Sequence, residues 1–279
     1  MHIEAEISGF LRHIRACNNA VLPGGRLPFS IGTQQVGWVQ PALAQVLAAF
    51  PYITTGPEGV RLDDPAALQT IVHGLVERGL LRWRGEAFDV RAHPDGAAIA
   101  QIDRGALPAF GVEAVGVHVN GLVERVDGPY LWVARRAVDK ALDPGKLDHL
   151  VAGGVPAGLT AEQTLVKEAA EEAGMPPELA RQAVHVGVIR YTMAREEGLR
   201  RDLLQCYDLI LPEAFRPFPH DGEVAAFYLW PLPRVAEAVR TTETFKFNVN
   251  LVLIDLFLRR GLCGADDMVK LRAALSPAR

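Results

Sequence analysis

Apolar residues recur at helical spacing from the start of the chain. Ile3, Ile7, Phe10, Leu11 and Ile14 share one face and predict an opening amphipathic helix. Pro23-Gly24-Gly25 breaks the chain, and Leu43, Val46, Leu47 and Phe50 mark a second helix after Pro41. Asp64-Pro65 is a helix start, with Asp as N-cap and Pro at the first helical position. It leads into Leu68, Ile71, Val72, Leu75 and Val76, and Gly79 closes that helix. Past Arg104-Gly105-Ala106-Leu107-Pro108 the period shortens. Gly111 to Val123 is rich in Val and Gly with alternating character, which predicts a strand. Tyr130 to Ala134 predicts its partner across the turn Asp127-Gly128-Pro129. A helix near 161–173, strand-like runs near 183–193, 203–211 and 223–230, and a last helix near 246–260 complete the chain. The pattern predicts an α/β (α+β) protein: a small α/β unit over residues 1–107, then residues 108–279 as a mixed sheet between helices.

Composition narrows the functional classes. A chain of 279 residues, 49% apolar and 22% charged, can bury a full core without a disulfide or a structural metal. The net charge of −4 argues against a general nucleic-acid binder. It suits an anionic ligand that arrives with a divalent cation already on it. Cys17, Cys206 and Cys263 are far apart and form no C-x-x-C pair, which predicts reduced thiols in a cytoplasmic protein. The first residues, Met1 to Glu6, lack the basic and apolar regions of a signal peptide. Leu251 to Leu258, interrupted by Asp255, is too short to span a bilayer, so no membrane partner is expected. Oligomeric state stays open, a homodimer included.

The chemistry concentrates in residues 153–175, from Gly153-Gly154-Val155-Pro156 to Glu171-Glu172-Ala173-Gly174-Met175. Glycines and a proline make a loop. Thr160 with Gln163 three residues later is a capping box, and Gly174 followed by Pro176-Pro177 ends the helix. On that helix Glu168 lies three residues before Glu171 and four before Glu172, so the carboxylates occupy neighbouring positions of one face. If that face is partly buried, repulsion at ~6 Å and an effective dielectric of about 20 is roughly 3 kcal/mol per pair. A divalent cation turns the repulsion into attraction, and magnesium, which takes hard oxygen ligands and keeps several waters, needs only two or three carboxylates. A solvated acidic helix face is the alternative.

The whole segment resembles the Nudix box, G-x5-E-x7-R-E-U-x-E-E-x-G-U with U aliphatic. Gly153, Glu168, Glu171, Glu172, Gly174 and Met175 match, while Leu159 stands for the first Glu and Lys167 for the Arg. The resemblance covers roughly residues 109–263. It includes Gly116-Val117-His118-Val119-Asn120-Gly121, Leu131 to Arg136, Asp143 to Asp148, Asp221-Gly222-Glu223-Val224 and Phe245-Lys246-Phe247-Asn248. These segments look like a Nudix subgroup with an extra N-terminal domain, whose relatives in some fungi are fused to thiamine pyrophosphokinase.

The resemblance implies a Nudix α/β/α sandwich that hydrolyses a small-molecule diphosphate, X-diphosphate to X-phosphate and phosphate. X would be thiamine or an oxidised thiamine analogue. Glu168, Glu171 and Glu172 would hold Mg²⁺ or Mn²⁺, which neutralises phosphate oxygens and activates water. Glu172 or Glu223 would accept the water proton. Arg135 and Arg136 offer a fork for the diphosphate, although adjacent strand residues face opposite ways and one of the pair is then a surface charge. Lys146 and His118 are further candidate substrate contacts, and Asn120 shares His118's face. Asp255 is expected to be paired structurally. Three alternatives stay open: a hydrolase of nucleoside diphosphate derivatives, a non-catalytic Nudix-like module suggested by Leu159, and an isopentenyl diphosphate isomerase-like reaction using Cys206.

Overall fold

The computed structural model describes residues 2–220 and 222–276, with side chains from residue 7 onward. Met1, the Ile3 side chain and Asp221, all used above, lie outside the described residues.

The first part of the chain runs α1 (His2–Cys17), β1 (Leu27–Ile31), β2 (Gln34–Val39), α2 (Pro41–Leu47), β3 (Ile53–Gly56), β4 (Gly59–Leu62), α3 (Leu68–Glu77), β5 (Ala87–Val90) and β6 (Ala100–Asp103). The Asp64 carboxylate accepts from Ala66 N, as an N-cap should. Pro65–Ala67, however, forms a 3₁₀ turn, and α3 starts only at Leu68. Strands β2-β1-β4-β3 form one small sheet and β5-β6 a separate hairpin. Their apolar faces close on α2 and α3 around Phe29, Leu47, Leu62, Ile71 and Leu75. α4 (Leu107–Phe110) adds Leu107 and Phe110 to that cluster.

The second part contains β7 (Glu113–Arg125), β8 (Gly128–Arg136), β9 (Leu147–Asp148), β10 (Val151–Gly154), α5 (Ala161–Ala173), α6 (Pro177–Ala180), β11 (Val184–Arg195), β12 (Gly198–Ile210), β13 (Val224–Pro231), α7 (Leu232–Thr241), α8 (Val249–Arg259) and α9 (Ala265–Leu275). The strands make one mixed sheet in the order β11-β12-β7-β8-β13, with β10 on β7 and β9 on β8; β12 and β7 run parallel. The β7–β8 hairpin turns at Val126-Asp127, because Gly128 pairs with Arg125 and Pro129 with Glu124 as strand residues. Alternation assigns the two faces. Val117, Val119 and Val123 of β7 pack with Leu165, Ala169 and Ala173 of α5. Leu122 of the same strand packs with α7, α8 and α9.

One element crosses the boundary suggested by the sequence. Ile7, Phe10, Ile14 and Cys17 of α1 bury in the core of the second part, against α7, α8 and α9, rather than with the strands that follow them. Arg12 donates to Thr242 O at 2.6 Å and His13 Nε2 lies 2.7 Å from Val239 O, so α1 also satisfies carbonyls at the end of α7.

Candidate active site

Local chemistry builds the central helix as the sequence predicts. Thr160 Oγ accepts from Gln163 N at 3.2 Å, Gln163 Oε1 accepts from Thr160 N at 2.9 Å, and Gly174 ends α5 in the left-handed region at φ 60°. The helix packs through Leu165, Ala169 and Ala173, which turns Glu168 and Glu172 inward over β10. Gly153 is required beneath them: a Cβ there would lie 2.5 Å from Cγ and Cδ of Glu168.

Glu172 is buried, and one of its carboxylate oxygens accepts from Ala152 N at 2.9 Å. Burial pushes its pKa well above the ordinary value, and the charges of Asp148, Glu168 and Glu223 add to the effect. Burial likewise raises Glu168, against the pull of Lys167. Glu223 reaches the same cleft from the start of β13, where an ion pair with Lys140 opposes its burial and lowers it. The cleft is narrow, and Ala134, Arg136, Asp148, His149, Ala152 and Val224 complete it. Glu172 and Glu223 thus meet in the cleft lining, and Glu168 stands beside them over Gly153. Glu171 is turned further out than Glu168: it sits half exposed, 2.5 Å from Lys167, which also reaches the mostly buried Glu168 at 3.4 Å.

The expected phosphate contacts fare differently. Ala134 and Arg136 point into the cleft, so alternation sends Arg135 to the other face, where it lies 5.9 Å over the Tyr228 ring. Arg135 is thus the member of the pair that alternation leaves as a surface charge. Arg136 is itself a clamp: it donates to Asp148 Oδ2 at 2.8 Å, Leu142 O at 2.8 Å and Asp143 O at 3.1 Å, fixing the loop before β9. Lys146 is half-buried in that loop and does not line the cleft. His118 shares the β7 face of Asn120 and Leu122, opposite α5; it does not line the cleft but sits behind Asp148 and His149, which do, with its Nδ1 2.9 Å from that of His149. Asn120 donates to Asp208 at 2.9 Å. Asp255 is paired with Arg259 at 2.7 Å, the structural role expected of it. Cys206 is buried in the core with its thiol pKa raised, which leaves no nucleophile for an isomerase-like reaction.

Sequence reasoning missed Asp148, His149 and Lys246. Asp148 is buried between Arg136 and Lys246, the latter at 3.5 Å, and these two cations hold it below the usual carboxylate range against its burial. His149 and His118 are buried neutral: desolvation and mutual repulsion press His118 far down, and desolvation brings His149 to about 4. Such a pair favours folding only while uncharged. As pH falls below the unfolded value of about 6.5 the unfolded chain takes up protons that the folded chain refuses, so stability drops. Between pH 6.5 and 5 one such histidine contributes a loss of about 2 kcal/mol. Thermal melts of the wild type and His149→Asn over that range are expected to converge as pH falls; parallel curves would contradict the assignment.

Two clusters offer metal ligands. The ligand atoms of His118, Asp148 and His149 lie within 4.8 Å of one another, but Arg136 and Lys246 already neutralise the carboxylate, so a divalent cation there would meet two positive charges. Glu168 and Glu172 present hard oxygen donors whose negative charge the surrounding protein under-compensates, and they fit Mg²⁺ or Mn²⁺. Gly153→Ala tests this geometry. The colliding atoms belong to a flexible side chain, so the fold should tolerate the change while Glu168 is displaced. Turnover is expected to fall about 10²-fold with little change in melting temperature, and a fall in melting temperature that matches the loss of turnover would contradict the reading. A larger concavity of about 650 Å³, between Phe50, Tyr52, His73 and Arg78, contains none of these glutamates.

Comparison with known proteins finds relatives of both parts of the chain. The family model described as NUDIX domain matches residues 115–245, and one described as domain of unknown function (DUF4743) matches residues 9–114. Nudix hydrolase 24, chloroplastic, of Arabidopsis thaliana is 38% identical over 271 residues, covering 92% of this chain and 74% of that protein. Nudix hydrolase 20, chloroplastic, of the same plant is 35% identical over 277 residues, with the same coverage. A crystal structure of DR0079 from Deinococcus radiodurans aligns at 20% identity with a TM-score of 0.45, over 60% of this chain and 97% of that one.

Proposed function

This chain belongs to the Nudix hydrolases, and from that premise we propose that its cleft hydrolyses X-diphosphate to X-phosphate and phosphate, with X thiamine or an oxidised thiamine analogue. The observation that supports the reading is the meeting of Glu172 and Glu223 in one cleft with Glu168 beside them over Gly153, and with Glu172 buried and raised in pKa. Glu168 and Glu172 would hold the divalent cation, with Glu171 at the rim. When bound, that ion neutralises phosphate oxygens and activates water.

The chain's own residues do the rest. The Ala152 N–H fixes one oxygen of Glu172 and leaves the other for the cleft. The proton released as water attacks phosphorus passes to Glu172 or Glu223 while the bridging P–O bond breaks. The two differ in kind: without the cation, burial raises Glu172 while Lys140 lowers Glu223, and a cation on Glu172 would draw its pKa back down. A Glu223→Gln protein that still binds the cation but turns over slowly would assign the proton to Glu223.

The identity of X rests on the resemblance to the subgroup whose fungal relatives carry thiamine pyrophosphokinase. A screen of diphosphate compounds with Mg²⁺ and Mn²⁺, with Glu172→Gln as control, tests it. Phosphate release is expected from thiamine, oxothiamine or oxythiamine diphosphate. Cleavage of nucleoside diphosphate derivatives with none from these three would overturn thiamine and keep the hydrolase.

A further inference from the structure

The cations around the cleft are largely committed within the protein. Arg136 and Lys246 hold Asp148, Lys167 holds Glu168 and Glu171, Lys140 holds Glu223, and Arg135 faces away. A diphosphate carries more negative charge than one divalent ion removes, so a further cation is needed. The N-terminal unit supplies a candidate.

Its β5–β6 hairpin docks on the leading loop of the box. Ala157 N donates to Ala87 O at 2.7 Å, and Gly158 N points at Asp89 Oδ2 at 3.4 Å. Phe88 lies so close over Gly154 that a Cβ there would be 2.5 Å from its ring. Arg104 follows directly on β6, with its guanidinium 5.9 Å from the centre of the Phe88 ring. Its backbone is held from both sides by the buried Asp103. That carboxylate accepts from Arg84 N, Gly85 N, Glu86 N and Gly105 N at 2.8 to 3.2 Å. Four amides on one carboxylate make a rigid mount, in the way that fixed donors pre-organise a site. From this mount Arg104 lies over Phe88, which itself covers Gly154, the residue next to the Gly153 that packs under Glu168. Its ion pair with Glu86, 2.7 Å long, is half exposed, and such pairs are weak, so an arriving anion can take the guanidinium over.

We propose that Arg104, carried on the N-terminal hairpin, is a substrate contact that binds the diphosphate at the mouth of the cleft, so that both parts of the chain form one active site. The inference rests on the diphosphate reading above. A planar guanidinium suits a pyrophosphate oxygen pair, and the contact would raise affinity without taking part in bond breaking.

The probe is methylenediphosphonate, which cannot be hydrolysed, titrated calorimetrically with Mg²⁺ into the full chain. Arg104→Ala is expected to weaken binding about 10-fold, and Arg104→Lys about 3-fold, because a point charge replaces a fork. Glu86→Gln should bind as tightly as wild type or more tightly, since the guanidinium is released. In turnover assays the loss should appear in KM with kcat nearly unchanged. Equal binding by wild type and Arg104→Ala overturns the proposal. So does a loss in Glu86→Gln as large as in Arg104→Ala, which would make the ion pair structural, and so does an absence of binding by wild type. If the variants rank as expected but no diphosphate is cleaved, the hydrolase reading fails and the anion contact stands. If diphosphates are cleaved with an unchanged KM in Arg104→Ala, the reverse holds.

Discussion

Glu172→Gln is expected to lower phosphate release about 10³-fold, within the range for loss of a group that serves proton transfer, while the melting temperature stays level or rises. The two halves of this prediction have one cause. Glu172 is buried under α5 with its charge disfavoured by desolvation and by three neighbouring carboxylates. Glutamine keeps the shape and can still accept from Ala152 N, so it removes a charge the fold tolerates poorly. It would also remove the oxygen donor proposed above for the cation and the water. A structural glutamate would show the opposite, with little effect on turnover and a fall in stability. Glu171→Gln is the contrast: with its side chain 46% exposed and paired to Lys167, it should cost less in both measures.

Deleting residues 1–17 is expected to unfold the catalytic part of the chain. Those residues contain no site residue, yet Ile7, Phe10, Ile14 and Cys17 complete the core formed by α7, α8 and α9. At about 2 kcal/mol for each buried apolar side chain the four together contribute roughly 8 kcal/mol. That is comparable with the whole stability of an ordinary domain, about 5–15 kcal/mol. Arg12 and His13 further satisfy the carbonyls of Val239 and Thr242. A milder version, Ile14→Ala, is expected to cost about 3 kcal/mol. Circular dichroism melts of both variants measure the effect; a truncated chain that melts cooperatively near the wild-type temperature would show that α1 is dispensable.

Helix α5 was legible because everything that defines it is local. Thr160, Gln163 and Gly174 lie within one segment, and the 3.6-residue period places Glu168 beside Glu172 without knowledge of the rest of the fold. The strands beyond it were legible for the same reason, since alternation of apolar residues needs only a few positions. What sequence could not supply is contact between distant segments. Arg136 looked like a phosphate ligand, but its hydrogen bonds go to Leu142, Asp143 and Asp148, in a loop whose path only the folded chain defines. Asp148 and His149 form no local motif, and their meaning comes from Lys246, about a hundred residues away, and from His118 across the sheet. α1 was legible as an amphipathic helix, but nothing in its period says which core its apolar face enters. Its partners Val239 and Thr242 lie more than two hundred residues downstream.

The central claim is that the cation sits on the glutamates of α5 and not on the neighbouring histidine cluster. Anomalous diffraction from crystals soaked in Mn²⁺ with methylenediphosphonate tests it directly. The account predicts a peak between the carboxylates of Glu168 and Glu172, lost in Glu172→Gln. A peak among His118, Asp148 and His149, or none at the glutamates, would contradict it.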